Sequence, residues 1–202
     1  MNVYQLLDLT GTFVFAVSGV RVAAEKKMDI FGAIVIGFAT AIGGGTIRDV
    51  VLGSTPVDWL QNQLYLYVII GAVVFGILFD RFVLKLQKAL FIFDSIGLGV
   101  FTIYGLEKAM NFGLDEGFAV LLGITSATAG GVIRDMLANE VPVILRKEIY
   151  ATACLVGALV FLLFKYLGMS FEINSAITIS IILIIRTIAV IYNISFPEIK
   201  KK

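Results

Sequence analysis

Long apolar runs alternate with short polar breaks along the whole chain. Seven runs can be marked, at residues 3–20, 30–52, 56–79, 90–104, 117–137, 142–164 and 173–194. A helix crossing a bilayer needs roughly 20 apolar residues, and most of these runs approach that length. The pattern predicts an all-α membrane protein with seven transmembrane helices. Composition agrees. Of 202 residues, 59% are hydrophobic and 15% charged, against about 45–50% and about 25% for soluble domains. Disorder is excluded on the same grounds. No basic residue precedes the first run, so it does not look like a cleaved signal peptide and is expected to stay.

Charge sets the orientation. Runs 1, 3, 5 and 7 lead to one side, which collects Arg21, Lys26, Lys27, Arg81, Lys85, Lys88, Arg146, Lys147, Lys200, Lys201 and Lys202. Lys108 and Lys165 fall on the other side. Basic loops stay in the cytoplasm. The chain is therefore expected to be a multi-pass cell-membrane protein with its N-terminus outside and its C-terminus cytoplasmic. The lysine tail reads as a topology anchor or as a contact for anionic membrane lipids. Sixteen basic and fifteen acidic residues give a net charge of +1, which indicates no nucleic-acid surface. There is no His and a single Cys, Cys154. No zinc site, internal disulfide or resident cofactor is expected, and no nucleophile has an evident base, so the chain does not read as an enzyme.

The sequence repeats at an offset of 86 residues. Asp8, Gly11, Gly19 and Gly37 fall on Asp94, Gly97, Gly105 and Gly123, and Pro56 falls on Pro142. The motif Gly-Gly-x-Ile-Arg-Asp occurs at Gly44, Gly45, Ile47, Arg48, Asp49 and again at Gly130, Gly131, Ile133, Arg134, Asp135. Each copy holds three runs. An odd number inverts the second copy, so residues 1–86 and 87–170 are expected to be related by a pseudo-twofold axis in the membrane plane. Residues 171–202, the seventh helix and basic tail, have no counterpart.

Two segments carry the candidate chemistry. Gly43, Gly44 and Gly45, and Gly130 and Gly131, lie deep in runs 2 and 5. About 14 residues, or about 21 Å of rise, separate Ile30 from Gly43. Consecutive glycines weaken a helix, and freed backbone groups in lipid need protein or a wet cavity. The expectation is a kinked or unwound helix beside a water-filled path. The competing use of glycine is close helix packing.

Arg48, Asp49, Arg134 and Asp135 are ionisable groups within spans, which usually face a partner or a cavity. Neighbours on a helix are about 100° apart, so Arg48 and Asp49 are expected to be poor partners for each other. Depth suggests ion pairs Asp8–Arg48 and Asp94–Arg134. Asp49 and Asp135 then either face the path and favour cations, or cap local backbone. Thr40, Thr46, Ser126 and Thr128 either offer hydroxyls to the path or bond their own helices. Arg186, mid-span in the last run, has three open readings: snorkelling, meeting an aspartate, or lining a pore.

Lesser features read as structural. The stretch Ser54-Thr55-Pro56-Val57-Asp58 resembles a helix cap with Pro in the first turn. Trp59 and Tyr65 fit an interfacial belt. Gly71 and Gly157 fit packing contacts.

At its doubled Gly-Gly-x-Ile-Arg-Asp motif the sequence resembles the prokaryotic branch of the trimeric intracellular cation channel family, over nearly its whole length. The resemblance implies a homotrimer with a separate pore in each protomer. It also implies passive conduction of monovalent cations, chiefly potassium, with sodium as an alternative ion, and pore-lining helices kinked at Gly43, Gly44, Gly45, Gly130 and Gly131. The same repeat domain is also described as a glycine transporter, which implies alternating access as the other reading.

Overall fold

Apolar helices pack in lipid by shape, so the positions of small residues decide which helices approach closely. The computed structural model describes residues 3–79, 89–146 and 149–195. The basic residues Arg81, Lys85, Lys88, Lys147, Lys200, Lys201 and Lys202 lie outside the described residues. Among those described, the chain is all-helical: α1 Val3–Glu25, α2 Ile30–Leu52, α3 Asp58–Gln61, α4 Leu64–Leu78, α5 Ala89–Asn111, α6 Glu116–Leu137, α7 Ala151–Tyr166 and α8 Phe171–Ile191. Four of these, α1, α2, α6 and α8, are long and apolar enough to cross a membrane, while α4 and α7 are apolar but shorter.

Every predicted run holds one of the longer helices, but several ends move. The third run is split. Its helix α3 starts only at Asp58, after Val57, so Pro56 lies before the helix rather than in its first turn. The sixth run opens with a single 3₁₀ turn at Val143–Leu145, and α7 begins only at Ala151. The fourth helix continues to Asn111, which takes Lys108 out of a loop and into α5.

α1 packs against α2, α4 and α5, while α5 packs against α6, α7 and α8. α2 and α6 cross each other at the centre. Glycine makes this crossing. A methyl group on Gly44 would lie 1.9 Å from the Ser126 carbonyl oxygen, and one on Gly130 would lie 2.4 Å from the Thr40 carbonyl oxygen. Within each half, Gly19 would meet the Gly37 Cα at 2.8 Å and Gly105 would meet the Gly123 Cα at 3.0 Å. α1 and α5 meet through the tilted rings of Phe15 and Phe101, with centroids 5.1 Å apart.

The glycines do not interrupt their helices. α2 and α6 are continuous α-helix through Gly43, Gly44, Gly45, Gly130 and Gly131. Of the kinked or unwound helix expected from sequence, the unwound form is absent, and the small residues bring two backbones together. Gly157 packs against Ile182 of α8, as expected, whereas nothing lies within 4 Å of a methyl group on Gly71. Gly71 is exposed, and no helix among the described residues covers it as α8 covers Gly157.

Candidate functional site

Each of the crossed helices α2 and α6 ends in a buried Arg-Asp pair, and each pair sits in a charged cluster. The clusters lie at opposite ends of the bundle.

At the first end, Arg48 Nε donates to Asp49 Oδ1 at 2.7 Å, and Arg48 Nη2 donates to Asp58 Oδ2 at 3.1 Å. Lys108 of α5 bridges the same two carboxylates, at 2.7 Å from Asp49 and 2.6 Å from Asp58. Asp49 Oδ2 accepts the Asp58 backbone N–H at 3.0 Å, tying the end of α2 to the start of α3. Tyr104 lies under the Arg48 guanidinium at 4.6 Å and donates to Asp58. Asp8 accepts a hydrogen bond from Tyr65.

At the second end, Arg134 Nε donates to Asp135 Oδ1 at 2.8 Å, and Arg134 Nη1 donates to Asp94 Oδ1 at 2.8 Å and to Ser18 Oγ at 2.6 Å. Asp135 Oδ2 accepts the Val143 backbone N–H at 3.0 Å. Arg186 of α8 donates to Asp94 Oδ2 at 2.9 Å and to Ser95 Oγ at 2.8 Å. Tyr150 also donates to Asp94. The Arg186 guanidinium is stacked between Tyr150 and Phe91, at 4.6 and 4.9 Å.

This geometry shows which partners the side chains named from sequence take. Asp94–Arg134 is an ion pair. Asp8–Arg48 is not, because Arg48 turns to Asp49 and Asp58 and Asp8 is taken by Tyr65. The adjacent Arg and Asp do pair at both ends, since a long arginine folds back along the last turn of its helix. Asp49 and Asp135 are 1% and 6% exposed. Both accept a backbone N–H and hold the neighbouring arginine, and Asp49 also lines a small cavity with Asp8, Arg48 and Asp58. Thr40, Thr46 and Thr128 bond carbonyls of their own helices, and the Ser126 hydroxyl is buried without a partner among the described residues. Trp59 and Tyr65 point inward: Trp59 donates to Thr46 and packs edge-on against Phe38. Arg186 takes the second of its three readings and meets an aspartate.

Lys108, Asp58, Tyr65, Tyr104, Tyr150 and Ser18 are members of these clusters that sequence reasoning did not place there. A signal existed for Lys108. Asp94, Phe101 and Lys108 are seven residues apart, two helical turns, and so share one face of α5. Away from the spans, Lys26 bridges to Glu140, which also pairs with Arg146 at 2.9 Å. The Lys26 hydrogen bond holds the Glu140 carboxyl below its ordinary range.

The family described as Glycine transporter matches the chain twice, at residues 5–81 and 91–166. The chain belongs to this family. The chain is similar to the UPF0126 inner membrane protein YadS of Escherichia coli K12, 40% identical over 193 residues that cover 95% of this chain and 93% of YadS. A UPF0126 membrane protein of Vibrio cholerae is 41% identical over 95% of this chain and 81% of its own length. YvgT of Bacillus subtilis is 33% identical over 96% of both.

Among solved structures, the TRIC trimeric intracellular cation channel orthologue from Rhodobacter sphaeroides aligns at a TM-score of 0.89 and 37% identity, over 96% of this chain and 100% of that one. A second TRIC cation channel structure aligns at 0.86 and 34% over 100% and 99%, and a prokaryotic TRIC channel in 0.5 M KCl at 0.84 and 31% over 95% and 97%. The family member described here is an integral membrane protein with the TRIC-like fold.

Proposed function

We propose that the chain is a passive monovalent-cation channel, conducting chiefly potassium, and that it works as a homotrimer with one pore per protomer along α2 and α6. The observation that carries this reading is the similarity to three TRIC structures, at TM-scores of 0.84–0.89 and 31–37% identity over at least 95% of the chain.

Residues 1–86 and 87–170 form two inverted repeats in this reading. Support comes from the 86-residue offset, the two family matches, and the reciprocal contacts Gly44 with Ser126 and Gly130 with Thr40. The N-terminus lies outside, which puts the Asp8 end at the outer mouth and the Asp94 end at the inner one. Anionic lipids would meet the basic cytoplasmic side.

The pore does not rest on unwound helix. The α2–α6 crossing is the constriction, and it is shut where Gly44 and Gly130 touch backbone. Conduction requires the two helices to part there. The Arg48 and Arg134 clusters fix both ends of the crossing and so set how readily it opens. Both clusters pair carboxylates with basic groups, so the bias for cations comes from carboxylates freed as the pairs rearrange.

The family description favours a second reading, a small amino-acid transporter with alternating access. A transporter of that kind presents half-helix N-termini to a substrate carboxylate at mid-membrane, but α2 and α6 are continuous there. Reconstituted vesicles separate the two. A channel releases trapped potassium down its gradient without saturating. A transporter retains potassium and takes up glycine with saturable kinetics.

A further inference from the structure

The two charged ends share their Asp and Arg-Asp positions but not their surroundings: Asp58 and Tyr65 of the first end correspond to Ile144 and Ala151 of the second, and Arg186 of α8 has no counterpart at the first. Asp94 and Arg134 bond directly, and Arg186 of α8 closes the set by taking the other carboxylate oxygen. All three side chains are nearly inaccessible, at 4% exposure or less. Their counterparts Asp8 and Arg48 make no such bond. Among the described residues no basic side chain bonds the Asp8 carboxylate, and Tyr65 is its one hydrogen-bond donor. Arg48 is 1% exposed, yet its Nη1 has no hydrogen-bond partner among the described residues. Asp8, Thr12, Arg48 and Tyr65 instead line a cavity of about 20 Å³, room for one water molecule.

A buried carboxylate held by two guanidiniums is hard to move, because displacing either partner strands a buried charge. A carboxylate held by one phenol beside a cavity is easier to move. We propose that Arg186 is a positioning residue for the conduction path: it fixes Asp94 so that Asp94 holds Arg134 and the end of α6, and it leaves the Asp8 end as the one that rearranges. Arg186 is itself placed by the rings of Phe91 and Tyr150 and by the Ser95 hydroxyl. The conduction arm of the test below rests on the channel reading. The exchange arm does not.

Two variants, Arg186→Gln and Arg186→Lys, are reconstituted as full-length protein. Gln keeps a donor but loses the charge; Lys keeps the charge but loses the planar fork. Backbone hydrogen exchange is followed at residues 131–138, the end of α6, and at 45–52, its counterpart in α2. Local opening free energies set these rates. Arg186→Gln should speed exchange at 131–138 by about tenfold, leaving 45–52 within about twofold. Arg186→Lys should lie between Gln and wild type. In planar bilayers the Gln variant should raise open probability with unitary conductance unchanged.

Exchange at 131–138 within about twofold of wild type would overturn the proposal, as would equal acceleration of both segments. Should Arg186→Gln fail to fold, Phe91→Leu, which removes one ring beside Arg186, decides on the same readout. It should accelerate 131–138 selectively by about two- to threefold, and no selective change overturns the idea. Absence of currents in the wild type would refute the channel reading while the exchange result still judged Arg186.

Discussion

Gly44 of α2 and Ser126 of α6 are in backbone contact: no side chain fits between them, since even a methyl group on Gly44 would sit 1.9 Å from the Ser126 carbonyl oxygen. The next glycine behaves differently. A methyl group on Gly45 would meet only the Arg48 guanidinium, at 3.6 Å, an ordinary contact. Adjacent glycines in one motif thus have different reasons to be glycine.

Alanine substitutions should separate those reasons. Gly44→Ala must push α2 away from α6 and should cost about 1–3 kcal/mol or more. Gly45→Ala keeps the contact and gains up to about 1 kcal/mol of helix propensity. Thermal unfolding in detergent at one scan rate should show opposite shifts, a fall of several degrees for the first and no fall for the second. Equal falls would mean that both glycines serve a flexible break.

The aspartates Asp8 and Asp94 should differ in the same assay. Asp94→Asn removes the shared partner of two buried guanidiniums, and breaking a buried pair in this way costs about 3–5 kcal/mol. Asp8→Asn keeps an oxygen for the Tyr65 hydroxyl to donate to and should cost about 1 kcal/mol. Equal destabilisation by the two would contradict the asymmetry between the ends.

Much of this could be read from residue order. Apolar runs located every longer helix, and the 86-residue offset picked out the Arg-Asp motif, Asp8 and Asp94. What the residues could not decide is which use of a shared chemistry applies. Consecutive glycines suit a broken helix or a tight crossing, and only the facing carbonyls of Thr40 and Ser126 select the crossing. Arg48 and Asp49 diverge by 100° at the backbone, yet a flexible arginine closes that gap at a helix end. Lys108 looked like a loop charge because α5 runs about two turns past the apolar stretch that announced it. Tyr65 carries the signature of an interfacial residue, and its contact is Asp8, 57 positions away.

Lys108 gives a prediction about ion flow. It neutralises Asp49 and Asp58, is 12% exposed, and sits beside an Asp58 that is 25% exposed, so this cluster is the wetter of the two. Lys108→Met should make that mouth more negative and raise unitary potassium conductance at low salt. The gain should shrink as KCl rises from about 0.01 M towards 1 M, where the screening length falls from about 30 Å to about 3 Å. A gain independent of salt would point to a change in pore shape rather than in field.

The central claim is passive cation conduction, and it is tested most directly by single-channel recording of the purified wild-type protein in a planar bilayer under a tenfold KCl gradient. The account predicts discrete unitary currents that reverse near the potassium potential, about 59 mV from zero for a monovalent ion. Reversal at the chloride potential, or a silent bilayer from a preparation that accumulates glycine with saturable kinetics, would contradict it.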